Sequence, residues 1–443
     1  MTSQEKAISI VGLGKLGTPF ALAFARVGYK VYGVDVNITD INMLRKRTRS
    51  IYEKSVNSLL KSQGDRLSIS NTYDNLALYT DITFVIVPTP SEQDGSFSLN
   101  YLLQVIDKLG AALLSKKKKH TVVITSTVSP RSLEKTIMPR LELISKKNVG
   151  KDIGLCYCPE FIALGSIVQN LTNPELILIG ESDKQSGTVV KKIRLSICKN
   201  KPRIVRTNWV NAEIAKIALN TYITTKISFA NMIARLAEKV PGADSHVITD
   251  AIGSDSRVGQ AYFKGGMGFG GPCFPRDNGA FASFLVSMGQ DSIIPKSIQS
   301  FNRQQTDSIF ERIEKYLPKK GGMVGVLGLS YKAETDVIEE SASISLIQKL
   351  ISKGIQVITY DPSAMGNTQS IFSRIQYARS AKECIDASNV VILATAWQEF
   401  VHYPWKSSLA HTSKTIIDCW GCLDTKSIAS DSITYISLGS YIQ

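Results

Sequence analysis

Histidine is scarce in this sequence. Four occur in 443 residues (His120, His246, His402 and His411), none of them inside a motif, so imidazole-based catalysis has little to stand on. Cysteine is present without a disulfide framework: seven residues, an odd number with no regular spacing, point to reduced thiols and a cytoplasmic protein. Cys156-Tyr-Cys158 and Cys419-Trp-Gly-Cys422 resemble two ligand pairs, but they fall on or beside strands of different domains, so no metal is expected. The second pair also lacks a thioredoxin-like context. No apolar run is long enough for a membrane span. The opening Met-Thr-Ser-Gln-Glu-Lys lacks a cationic segment, apolar core and cleavage site in sequence, so no secretory signal is read. Acidic residues are outnumbered, 38 against 52 basic ones, for a net charge of +14. No basic motif interleaved with aromatics accompanies the excess, so nucleic acid is not expected, while a phosphate-bearing ligand suits it. The densest run, Lys116 to Lys119, reads as a solvated loop.

What is present is organised as domains. The length exceeds one ordinary core and implies two or three. Ala7-Ile-Ser-Ile-Val11 reads as a buried strand, followed by Gly12-Leu13-Gly14-Lys15-Leu16-Gly17 and a helix from about Thr18. A second strand, Val31 to Asp35, ends in a carboxylate. This is the dinucleotide fingerprint in its required context. Gly12 makes the turn, Gly14 admits the pyrophosphate, Gly17 lets helix and strand pack closely, and the helix N-terminus faces the anion. Asp35 is placed for the ribose hydroxyls, and with Val36 and Asn37 beside it rather than a cation, NAD is expected over NADP.

Apolar strands follow at 83–87, 121–125, 153–157 and 176–179, with helical patterns between several of them. This alternation implies an open, largely parallel sheet covered on both faces. Ligands bind beyond the C-terminal ends of such strands, which here read Pro88-Thr89-Pro90, Ser126-Thr127-Val128 and Pro159-Glu160-Phe161. Each is either a cofactor-lining segment or a plain turn. From Asn208, a good N-cap, to about Val240 the pattern is helical and long enough to connect two domains. Lys216 and Asn220 share one face of it among apolar neighbours, facing either solvent or a ligand and polar cluster.

Gly268-Phe-Gly-Gly-Pro-Cys273-Phe-Pro-Arg-Asp277 is read as a stiffened, glycine-rich loop. Its cysteine is either an activated thiol or a buried structural one. Arg257 and Lys264, a few residues upstream, add positive charge. A helix from about Gln304 to Tyr316 and a polar, Gly-rich stretch ending at Gly322 lead to a second nucleotide-fold start. Strands at 323–327 and 356–360, a helix from about Ser341, and later strands at 390–393 and 415–418 make it up. The fold class is α/β, with two Rossmann-like doubly wound domains joined by a long central helix. The expected division is 1–205 for NAD, 206–302 for a helical central or dimerisation part with the Cys loop, and 303–443 for the second nucleotide fold.

In order, these motifs resemble the nucleotide-sugar 6-dehydrogenases, the family of UDP-glucose, GDP-mannose and UDP-N-acetylmannosamine dehydrogenases, over essentially the whole length. The resemblance implies oxidation of a sugar C6 alcohol to a carboxylate with two NAD+ and one water, UDP-glucose being the expected donor. Cys273 would be the nucleophile. Lys216 and Asn220 would stabilise oxyanions, Asp277 would serve the catalytic water, Glu160 would be an acid–base group, and Thr127 would lie near the reacting carbon. Gly12, Gly14, Lys15, Leu16, Gly17, Asp35, Pro88, Thr89, Ser126, Thr127 and Arg276 would bind the cofactor. Glu160, Phe161, Lys216, Asn220, Arg257, Tyr262, Lys264, Gly270 and Lys332 would bind the sugar nucleotide in a homodimer. Two positions depart from the pattern. Glu339 stands where many relatives have an arginine for the diphosphate, and Leu164 where many have a second glutamate. The alternatives are a UDP-N-acetylhexosamine or GDP-mannose dehydrogenase, a catalytically impaired binding paralogue, or a simple two-electron dehydrogenase.

Overall fold

Strands of almost unbroken apolar sequence become a sheet buried on both faces in this computed structural model, which describes residues 6–48, 53–318, 322–409, 413–424, 428 and 433–441. His411 lies outside the described residues. The chain divides into two compact units, 1–218 with 283–288, and 219–282 with 289–443.

In the first unit the strands are β1 (Ala7–Val11), β2 (Lys30–Val34), β3 (Leu67–Ser70), β4 (Ile82–Val85), β5 (His120–Ile124), β6 (Ile153–Tyr157), β7 (Leu176–Glu181) and β8 (Arg203–Thr207). Their spatial order is β3-β2-β1-β4-β5-β6-β7-β8, parallel except where β7 runs against β6. The period of two splits the core between the faces. Ile8 and Ile10 pack with Phe20 and Phe24 of the helix Gly17–Arg26, while Val11 joins Leu102, Ile106 and Leu109 of the helix Asn100–Leu113. Ser9 is kept inside by a polar cluster with Thr80, Thr83 and His120. Nδ1 of His120 faces the Thr80 carbonyl and so donates, leaving Nε2 to accept from Thr83. Burial pushes this imidazole down to about 3, which makes it a neutral core residue.

The second unit repeats the plan with β9 (Met323–Leu327), β10 (Gln356–Tyr360), β11 (Gln376–Tyr377), β12 (Val390–Leu393), β13 (Lys414–Asp418) and β14 (Ile433–Ser437), in the order β11-β10-β9-β12-β13-β14, all parallel. The long helix Trp209–Ala237 joins the two sheets. Asn208 caps it by accepting the Asn211 N–H at 2.9 Å.

Three sequence expectations are corrected. Lys116–Lys119 is a loop in which Lys117 and Lys118 are exposed as expected, but Lys116 and Lys119 are drawn in. Lys116 donates to the carbonyls of Ala77 and Thr80 and pairs with Asp81, Lys118 also pairs with Asp81, and Lys119 pairs with Asp183. Lysine stems cover apolar surface while their ammonium groups close the ends of neighbouring elements. The helix expected from Gln304 starts at Ile293, because Pro295 sits in its first turn, where no N–H is needed. For the same reason the loop around Cys273 is shorter than expected. A helix, Phe274–Ser287, takes up Pro275, Arg276 and Asp277, and the Cys273 carbonyl accepts the Asp277 N–H at 2.8 Å.

Candidate functional site

The first unit carries the dinucleotide loop. Gly12 has φ +92°, and a Cβ there would overlap the Ile86 carbonyl. A Cβ on Gly17 would strike the Gly12 carbonyl, so both glycines serve the turn itself. Gly14 differs: no protein atom lies within 4 Å of where its Cβ would be. A position bare of side chain and open in front is a cradle for a ligand's phosphates, and NAD fits it. Lys15 is exposed and Leu16 half-buried beside it. Asp35 Oδ2 accepts the Leu13 N–H at 2.6 Å, which fixes its carboxylate at the end of β2.

Beyond β4 and β5, two segments are tied together by their hydroxyls. Ser126 Oγ donates to the Val87 carbonyl at 2.7 Å and accepts the Val87 N–H at 2.9 Å, and Thr89 Oγ1 donates to the Thr127 carbonyl at 2.7 Å. Thr89 and Ser126 are buried, Thr127 is half-buried and Pro88 exposed. Two carboxylate oxygens of Glu213, on the long helix, accept the Arg131 and Leu133 N–H groups at 2.7 and 2.9 Å and hold the following turn. Nothing in the sequence marks Glu213 beyond its place among apolar residues.

Beyond β6, Glu160 turns its carboxylate inward. Arg194 Nη2 lies 2.7 Å from Oε1 and 2.9 Å from Oε2. Burial pushes this carboxyl up, while Arg194 and then Lys216 oppose the shift. The Glu160 carbonyl accepts from Lys216 Nζ at 2.8 Å, and the Phe161 ring lies 4.8 Å from the same ammonium. Leu164 packs against the core on this side of the sheet.

The second unit carries the thiol. Cys273 is exposed and immediately precedes the helix Phe274–Ser287, the setting in which cysteines serve as nucleophiles. One turn into that helix, Asp277 is fully buried. Its Oδ2 accepts from Asn220 at 2.6 Å, and its Oδ1 accepts from Arg276 at 2.9 and 3.0 Å. Thr224, one turn along the long helix, and Asn278, the residue after Asp277, both unread in the sequence, repeat the cross-link at 2.9 to 3.1 Å. Asn220 and Thr224 stand four apart, which was the available signal.

Gly270 is buried rather than opened to a ligand. A Cβ on Gly270 would overlap the Glu340 carbonyl and one on Gly271 the Tyr331 ring, so these glycines let the loop lie on the 331–340 segment. Asn302 closes it from the other side through both its oxygen and nitrogen, to Phe269 N and O. Glu339 is exposed, and its carbonyl accepts the Gly271 N–H. Tyr262 meets the Phe274 ring edge-on at 6.1 Å. Arg257 is not drawn in: its side chain is 87% exposed and paired with Asp255. Lys264 is exposed, and Lys332 half-buried in the loop after β9. Among the described residues no cluster of His, Cys, Asp and Glu is placed to hold a metal. Cys156, Cys158 and Cys419 are buried, and burial pushes the Cys158 thiol up to about 12.

Family models of the UDP-glucose/GDP-mannose dehydrogenases match the chain in three parts: the NAD binding domain over residues 6–197, the central domain over 210–304 and the UDP binding domain over 325–425. A UDP-glucose 6-dehydrogenase of Haloferax volcanii is 35% identical over 396 residues, covering 89% of this chain and 92% of its own. A GDP-mannose 6-dehydrogenase of Pseudomonas aeruginosa is 31% identical over 429 residues, covering 94% and 96%. The solved UDP-glucose dehydrogenase of Pyrobaculum islandicum superposes with a TM-score of 0.88 at 29% identity, over 99% of both chains. With the dinucleotide cradle and the buried Asn220–Asp277 pair beneath an exposed thiol, these matches show that the chain belongs to the UDP-glucose/GDP-mannose dehydrogenase family of NAD-dependent enzymes.

Proposed function

We propose that this enzyme oxidises the C6 alcohol of UDP-glucose to the carboxylate of UDP-glucuronate, consuming two NAD+ and one water and releasing two NADH and three protons. The observation that carries it is Cys273, exposed at a helix N-terminus one turn from a buried Asp277. NAD+, when bound, supplies the hydride acceptor for each oxidation. Cys273 Sγ adds to the C6 aldehyde left by the first oxidation. The resulting thiohemiacetal is oxidised to a thioester, which water cleaves, returning the thiol. Asp277, held by Asn220 and Arg276, accepts a proton from that water. Lys216 and Asn220 donate to the oxyanions, and Thr127 presents its hydroxyl near the reacting carbon.

UDP-glucose is favoured by the names of the archaeal relatives and by the UDP binding domain match. GDP-mannose is the second reading, favoured by the Pseudomonas relative. We take 1–205, 206–302 and 303–443 as the cofactor, dimerisation and sugar-nucleotide parts. Two chains pair along the long helix, where Tyr222, Phe229, Met232 and Leu236 are exposed on one side.

Incubation with NAD+ and UDP-glucose, UDP-N-acetylhexosamines or GDP-mannose, following NADH against sugar consumed, tests the reading. Two NADH per UDP-glucose are expected, with this yield lost in Cys273→Ala. One NADH per sugar with the thiol dispensable would indicate a two-electron enzyme. Turnover of GDP-mannose alone would move the donor assignment, and NAD+ binding without turnover of any donor would indicate an impaired paralogue.

A further inference from the structure

Three Lys or Arg side chains are buried among the described residues: Arg194 at 2% exposure, Lys216 at 7% and Lys414 at 8%. Lys414 closes a strand end on the carbonyls of Ile385, Asp386 and Ser388. The other two belong to one cluster, and nothing so far accounts for Arg194. It projects from the helix Lys184–Ser196, its guanidinium lies over the Phe20 ring with 5.0 Å to the centroid, and its Nε and Nη1 make no hydrogen bond. Phe20 belongs to the helix that follows the dinucleotide loop. A buried ion pair is seldom more stabilising than apolar side chains of the same volume. Its use here is therefore in the geometry it imposes. With its carboxylate fixed on Arg194, the Glu160 backbone has one orientation. That orientation delivers the Glu160 carbonyl to Lys216 Nζ and sets the Phe161 ring against the same ammonium.

We propose that Arg194 is a positioning residue: it holds Glu160 as a strut, and the strut's carbonyl together with the Phe161 ring holds the Lys216 ammonium in place. The inference rests on the reading of Lys216 as an oxyanion donor, and it makes Glu160 a support in place of an acid–base group. Loss of the ion pair would free the 159–161 segment and loosen Lys216 without touching its own side chain.

Competitive acetylation with acetic anhydride, read by mass spectrometry, compares Lys216 with Lys116. The latter has a side chain 9% exposed and its own anchors in the same unit. Arg194→Met should raise the acetylation rate of Lys216 about tenfold, equivalent to ~1.4 kcal/mol of lost protection, and leave Lys116 within about twofold. Arg194→Lys should restore most of the protection. If Arg194→Met does not fold, Glu160→Gln removes the pair while keeping the backbone carbonyl, and it should expose Lys216 to the same degree. A Lys216 unmoved in both variants overturns the proposal. So does an equal rise at both lysines, which would reduce Arg194 to a general contribution to stability. Acetylation needs neither sugar nor turnover, so its failure is distinct from failure of the NADH assay.

Discussion

Glycines of one motif do different work, and the difference is measurable. Gly17→Ala drives a methyl group into the Gly12 carbonyl and should cost about 1–3 kcal/mol of stability, seen as a lower melting temperature. Gly14→Ala meets no protein atom, so melting should stay within about 0.5 kcal/mol of wild type. Its NAD+ affinity by calorimetry should nevertheless fall about tenfold or more, ~1.4 kcal/mol, because the methyl occupies the ligand's space. Equal melting losses in the two variants would remove the distinction. These glycines were legible because only glycine serves such a turn. Arg194 was not, although Ser186, Gly187, Val190 and Arg194 form one buried stripe of their helix. An arginine in an apolar stripe is a sequence signal only when its partner is known, and Glu160 is 34 residues away.

Elements were legible where both faces are buried and obscure at sheet edges. β1, β2, β4–β7, β9, β10, β12 and β13 are apolar runs, and the reading found each within a few residues. β3, β8, β11 and β14, the outermost strands, went unread because their residues are mostly half-exposed or polar. The long helix was legible through its cap, but what it restrains was not. Burial pushes Glu213 up to about 7 from 4.5, against the two backbone N–H groups that pull it down and with Glu134 adding repulsion. The folded protein thus binds this proton more tightly than the unfolded chain. Stability should fall as pH rises from about 4.5 through 7, by about 3 kcal/mol relative to Glu213→Gln. Urea denaturation of both proteins at pH 5 and 7.5 measures it, and parallel pH curves would contradict the assignment.

At the scale of the molecule, one fold is used twice with unequal outcomes. Gly328 has φ +98° and the Leu329 N–H meets Asp361 Oδ2 at 2.7 Å, as Gly12 and Leu13 do with Asp35. Asp361, however, also accepts from Ser330, Ser363, Ala364 and Trp397 and is 1% exposed, so it is fully engaged by the protein. The repeat is legible in the sequence but this difference is not, because Trp397, 36 residues downstream of Asp361, closes it. Assembly belongs to this scale too. Phe229→Glu with Leu236→Glu should convert a dimer to monomers in light scattering while leaving the far-ultraviolet dichroism unchanged, and a monomeric wild type would end the pairing proposal. The distribution of thiols has a practical side. Four of the seven are buried, Cys198 and Cys422 are half-covered with thiols pushed up by burial, and Cys273 alone is exposed. A maleimide or a peroxide therefore meets one exposed sulfur, so a single adduct per native chain is expected, with further adducts appearing only on unfolding.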